Sequence, residues 1–212
     1  MVVRLALQLT GFAFLLLLIG CGKETDQKSQ CSLSTGGYLV AKDCYLLSWG
    51  NSLPVTMVKE ETLSIELAQA IDDAARTWEL ATGIDLFDIK IDKIQTQTQI
   101  THQYNFIGMR SNPEWEQIPI QGKSDEPAKT VYYYREALYN TNIYFNKTFF
   151  DNARGGYNLF SIALHELGHV LGLDHDDTTS PTISIMNSKI KPQEKRQLSE
   201  RDIQRVKSLY GL

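Results

Sequence analysis

Apolar residues recur along the chain in three distinct registers. Residues 5–20, LALQLTGFAFLLLLIG, are apolar almost without interruption. Over 53–59 (LPVTMVK) apolar and polar positions alternate and β-branched side chains appear, the pattern of a half-buried strand. Over 63–83 the apolar positions fall at helical spacing. Leu67, Ile71, Ala74, Ala75 and Trp78 share one face, Ser64 is placed to cap the start, and Gly83 suits the residue just past the end. Strands are expected at 85–91, 104–109, 129–134 and 142–145, where Val, Ile, Tyr and Phe concentrate. Leu159, Ile162, Ala163, Leu167 and Val170 describe a second, more deeply buried helix. A third runs over 198–210, with Ser199 as N-cap, Asp202 three residues later, and Leu198 able to staple against Ile203. Ile203, Val206, Leu209 and Tyr210 are its expected core face, and packing is its only expected role. The segment 110–128 has three prolines and reads as a polar loop, either the rim of a groove or an ordinary surface loop.

The apolar run at the start is a different kind of feature. Arg4 is the only charge before Lys23, and the run is short of the about 20 residues a spanning helix needs. A short positive start followed by such a run reads as a secretory signal. It ends in Leu18-Ile19-Gly20-Cys21, which resembles the lipobox of bacterial lipoproteins. The resemblance implies cleavage after residue 20 and lipidation of Cys21. The domain would then be exported and anchored to a bacterial membrane, at the outer membrane or cell surface. Residues 21–30 are polar and read as a tether, which leaves 31–212 as one folded domain.

Composition narrows the function. The 212 residues carry a net charge of −4, which argues against nucleic acid as a partner, and the chain reads as a monomer. Three cysteines are too few for a disulfide scaffold. With Cys21 assigned to lipid, Cys31 and Cys44 remain. Export permits them to pair. The alternatives are two free buried thiols, or a Cys44 thiolate that blocks a metal site.

The chemistry is concentrated in residues 165–175, His-Glu-Leu-Gly-His-Val-Leu-Gly-Leu-Asp-His, which hold three of the four histidines. His165 and His169 are four apart and share one helix face, so both can reach one ion. Gly172 can take the positive φ that ends the helix, and the chain can then turn back to bring in His175. Three neutral imidazoles suit Zn2+ and leave a fourth position for water. Glu166, beside the first ligand, is placed as general base toward a zinc-bound water, and peptide-bond hydrolysis follows from that set of parts.

This eleven-residue pattern is that of the metzincin zinc metallopeptidases, and the chain resembles their matrixin branch, the matrix-metalloproteinase-type catalytic domain. Met186, eleven residues past His175, matches the family's methionine turn, an apolar support beneath the metal. The segment 49–54, the helix reaching Trp78, the string 160–175 and the closing LSERDIQRVKSLYG also look like matrixin segments, in the same order. The resemblance implies an α+β, zincin-like fold. Its core would be a twisted, mostly parallel five-stranded sheet with two long helices, plus the C-terminal helix. It further implies one catalytic Zn2+ and a protein or peptide substrate. Three departures stand out. Tyr144 and Asn146 occupy positions where vertebrate-type matrixins have a histidine and an aspartate, so a structural zinc is not expected and calcium stays open. Asp176 follows the third histidine, as in the reprolysin branch. Asn187-Ser188 stands where matrixins often have Tyr-Pro. Two other functions compete with an endopeptidase: a catalytically silent zinc-bearing surface binding module, and a zinc amidase acting on cell-wall peptide.

Overall fold

The computed structural model describes residues 36–93, 104–112, 114–118, 126–152, 156–177 and 184–212. The segments expected to be signal and tether, with Cys21 and Cys31, lie outside the described residues. Five strands form one sheet: β1 (Val55–Glu60), β2 (Phe87–Asp92), β3 (Asn105–Arg110), β4 (Ala128–Tyr134) and β5 (Leu138–Asn146). The spatial order is β2-β1-β3-β5-β4, and β4 alone runs antiparallel to its neighbour. The helices are α1 (Ile65–Thr82), α2 (Lys147–Asn152), α3 (Leu159–Val170) and α4 (Glu200–Leu209). This is the mostly parallel α+β architecture expected from the sequence, with strand limits shifted by a few residues. The short helix α2 and the first half of β5 were not anticipated. No described helix is long and apolar enough to cross a membrane.

The two sheet faces carry different loads. Parallel strands require crossovers, and the crossover helices cover a face. Here α1 and α3 pack together on one side. Leu67, Ile71, Ala74 and Trp78 from α1 meet Ile162, Ala163, Leu164, Leu167 and Val170 from α3 over the strand residues Val55, Met57, Ile107, Ile143 and Phe145. Ser64 Oγ accepts from Leu67 N at 3.2 Å to start α1, and Gly83 at φ +75° closes it with a bond to Glu79 O. Lys59 on β1 is buried but sends Nζ to Asp72 Oδ1 at 2.5 Å and Ala68 O at 3.3 Å, tying strand to helix. The opposite face has its own small core of Phe106, Trp115, Ile118, Val131 and Tyr144. Trp115 comes from a 3-10 turn, Trp115–Gln117, inside the stretch read as a polar loop. The described part of that loop therefore docks on the sheet through a fully buried indole. The remainder lies outside the described residues.

Before β1, residues 38–47 fold into a short clip. Val40 pairs with Leu46, and Tyr38 pairs across to Leu173 beyond α3. Cys44, at φ +64°, lies in this clip and is disulfide-bonded, with its partner outside the described residues.

Trp78 is the hinge between the two long helices. Its ring is wholly buried and its Nε1–H donates to Leu164 O at 2.9 Å. Trp78→Phe removes that donor and leaves a void under α3. A stability loss of about 2–4 kcal/mol is expected, read by urea unfolding of the two proteins.

Candidate metal centre

Helix α3 must present two imidazoles rigidly, and its residues explain how it does so. Asn158 Oδ1 accepts from Ser161 N at 2.9 Å to cap the start. At the other end Gly172 takes φ +97°, Gly172 N bonds His169 O at 3.0 Å and Leu173 N bonds Gly168 O at 3.0 Å. This is the glycine-ended double closure that reverses a chain out of a helix. A Cβ at Gly172 would strike the Leu47 carbonyl. Two further carbonyls are satisfied from a distance: Trp49 Nε1 donates to Val170 O at 2.7 Å and Tyr210 Oη to Leu171 O at 3.0 Å. The reversed chain is then held by the clip and the residue before it, with Leu39 N on Gly172 O and Asp174 N on Gly37 O, both at 2.8 Å.

His165, His169 and His175 converge as the spacing predicts. Nε2 of His169 lies 3.1 Å from that of His165 and 3.3 Å from that of His175. His165 Nδ1 is 2.8 Å from Ile185 O, and His169 Nδ1 is 2.8 Å from Leu173 O. A carbonyl only accepts, so each Nδ1 carries the hydrogen and each Nε2 presents a bare lone pair. Bare lone pairs at this distance repel one another and call for a cation between them. Ligands 2.0–2.1 Å from a tetrahedral ion stand about 3.3 Å apart, so these residues fit zinc. Burial, then the neighbouring His169 and His175, hold His165 well below its ordinary pKa, which favours the neutral ligand form.

Glu166 faces the sheet instead of joining the cluster. It is buried, and its Oε2 accepts the Thr130 hydroxyl of β4 at 2.7 Å. Burial lifts the carboxyl to about 7, opposed chiefly by that hydroxyl. Met186 is fully buried under α3, where a Cβ on Gly168 would strike its sulfur. The first glycine of the motif, Gly168, thus lets the helix settle onto the methionine. Cys44 is disulfide-bonded and supplies no thiolate to the cluster. Cys21 and Cys31 lie outside the described residues.

The C-terminal helix corrects the expectation that it only packs. Tyr210 packs against the main core as expected, but Ile203 and Leu209 are only partly buried, and the charged Asp202 and Arg205 share the buried face with Val206. Asp202 completes the capping box with Ser199. The same carboxylate accepts from Ser184 Oγ at 2.7 Å and Ile185 N at 3.0 Å. Ile185 O in turn receives His165 Nδ1, so one carboxylate orders the turn before Met186 and, through it, the His165 ring. Asp176 closes the ring. Its N–H donates to Met186 O at 2.9 Å, and its carboxylate takes Arg201 Nε at 2.7 Å beside Arg205. The cap at Ser199 and Asp202 was readable in the sequence, but its second set of partners was not.

At the two sheet positions that depart from vertebrate-type matrixins, the side chains serve the fold. Tyr144 is buried against Phe106, with the Arg110 guanidinium 5.9 Å from its ring centroid. Asn146 Oδ1 accepts from Phe149 N at 3.0 Å in α2, and its Nδ2 donates to Glu126 O at 3.0 Å.

The family model for Peptidase_M10, Matrixin, matches residues 51–211, and the chain belongs to that family. It is similar to Matrix metalloproteinase-26 of Homo sapiens, 50% identical over 58 residues, which is 26% of this chain and 21% of that protein. It is also similar to Matrix metalloproteinase-20 of Homo sapiens, 26% identical over 161 residues, covering 70% of this chain and 28% of that protein. The chain spans less than a third of the length of these curated relatives. Among solved structures it aligns with High choriolytic enzyme 1 (HCE-1), a hatching enzyme zinc-protease from Oryzias latipes. That alignment covers 79% of this chain and 97% of the other, at 17% identity and a TM-score of 0.39.

Asp202→Ala strips four donors of their acceptor while leaving all three histidines in place. Expected are a stability loss of about 2–4 kcal/mol and zinc affinity weakened about ten- to a hundredfold. Chemical unfolding and competition with a chelator of known affinity measure the two.

Proposed function

We propose that this chain is a zinc-dependent endopeptidase in which His165, His169 and His175 hold the ion and Glu166 is the general base. The observation that carries the reading is the convergence of three imidazole Nε2 atoms, with the opposite nitrogens of His165 and His169 tied to backbone carbonyls. Membership of the matrixin family supports the same chemistry. Zinc in that cluster would supply an acidified water and a Lewis acid for the scissile carbonyl.

The chain's own residues supply the rest. Glu166 takes a proton from the attacking water as its oxygen bonds to the carbonyl carbon. It returns that proton to the amide nitrogen as the C–N bond breaks. Its burial favours this traffic, because a carboxyl lifted to about 7 by desolvation holds and releases a proton with similar ease near neutrality. Met186 gives an apolar floor and no ligand. Substrate is a protein or peptide, by the chemistry of the family. The signal-like run and Cys21 support an exported domain tethered by lipid outside a bacterial cell, and pairing of Cys31 with Cys44 suits that compartment.

Glu166→Ala is expected to keep one zinc per chain while turnover of a quenched peptide library falls by at least about a hundredfold. Removal of zinc by 1,10-phenanthroline should abolish wild-type turnover, and added zinc should restore it. Wild-type rates in Glu166→Ala would remove Glu166 from its role.

A further inference from the structure

We infer that Thr130 is a positioning residue for Glu166: its hydroxyl fixes one carboxylate oxygen and thereby aims the other at the reaction. The inference deepens the endopeptidase reading and rests on it.

Thr130 lies on β4, the last strand of the sheet, opposite Ile143 of β5. Alternate β4 residues face opposite ways. Ala128, Tyr132 and Tyr134 pack toward the helix-side core, and Val131 and Tyr133 toward the small core on the other face. Thr130 belongs to the first set, so its hydroxyl points to α3. It is buried there, and a buried hydroxyl needs a partner. Among the described residues both acceptors it meets belong to Glu166: Oε2 at 2.7 Å and the backbone carbonyl at 3.2 Å. The hydroxyl has one hydrogen, and the nearer, charged oxygen is the stronger acceptor.

The consequence is mechanical. A glutamate on a helix has three rotatable bonds, and holding it in one geometry is entropically costly if it is done at the moment of reaction. Here a strand of a different element holds Oε2 beforehand, so Oε1 is the oxygen left to exchange protons. Helix α3 then needs only to set the position of the backbone. A valine at 130 would have the same shape and strand preference and would lack only the donor.

The test compares Thr130→Val and Thr130→Ser in the zinc-loaded full chain. In Thr130→Val, kcat is expected to fall about ten- to a hundredfold with KM within about twofold, the scale of one hydrogen bond to a charged group. Zinc content and melting temperature should match wild type, and Thr130→Ser should recover most of the rate. A second readout needs no turnover. Acetohydroxamate binds zinc and gives its hydroxyl proton to a neighbouring carboxylate. Its affinity should drop about tenfold in Thr130→Val, and no further when Glu166→Ala is already present. Unchanged kcat in Thr130→Val overturns the inference, as does a Thr130→Ser variant equally impaired. Loss of zinc in Thr130→Val also overturns it, because the hydroxyl would then be holding the metal centre and not the base. A wild-type protein that binds zinc but cleaves no peptide would sink the endopeptidase reading alone, and the acetohydroxamate cycle would still decide the role of Thr130.

Discussion

Three imidazole nitrogens drawn together around His169, whose Nε2 stands 3.1 and 3.3 Å from those of His165 and His175, are the constraint on which the rest of this structure depends. Nothing in the polypeptide favours that arrangement for its own sake. It persists because the rings of His165 and His169 are gripped from behind and because the helix that carries them is closed at both ends. Helix α3 supplies two rings at a fixed four-residue spacing. The glycine-ended turn after it supplies the third. Every other feature near the site restricts one of these two pieces.

The restriction comes from parts of the chain remote in sequence. Trp49, in the segment before β1, and Tyr210, at the C-terminus, donate to successive carbonyls at the end of α3. These are carbonyls that a helix end would otherwise leave to water. Trp78 holds the middle of the same helix through Leu164 O. The clip over 38–47 adds a β-like rung to the loop that carries His175. The geometry of the metal centre is therefore a property of the whole domain, with α3 as the element on which the other contacts converge.

Two buried aspartates show how charge is used for the same end. Asp202 serves two structures at once, the start of α4 and the methionine turn, and it has enough acceptor sites for both. Asp176 holds the loop after the third histidine to α4 through Arg201 and Arg205, and to the methionine turn through its own N–H. Buried carboxylates are costly unless fully partnered. Here the partners are backbone N–H groups and guanidinium groups that need the same satisfaction. The polar network links α4, the turn at Met186 and the loop that carries His175 into one unit. It also gives a structural role to Asp176, the residue that departs from the usual matrixin pattern.

The histidine cluster and the long helices were legible in the sequence because each depends on local spacing. His165 and His169 share a face by helical periodicity, Gly172 marks a stop by its backbone freedom, and Ser64 and Ser199 mark starts by their capping chemistry. The character of the strands was legible too, though their limits shifted and the first half of β5 was missed, since asparagines interrupt its apolar pattern. Three things were decided only in the tertiary structure. Trp115 looked like part of a polar loop because its neighbours are polar, yet the other sheet face has an apolar surface that takes it in. Asp202 looked like a cap, and its second role appears only when residues 184–185 arrive beside it. Thr130 carried no signal beyond strand preference, and its contact with Glu166 spans 36 positions. Local patterns follow from the geometry of one helix or strand. Which donor meets which carboxylate depends on how the sheet sets β4 against α3, and no local spacing encodes that.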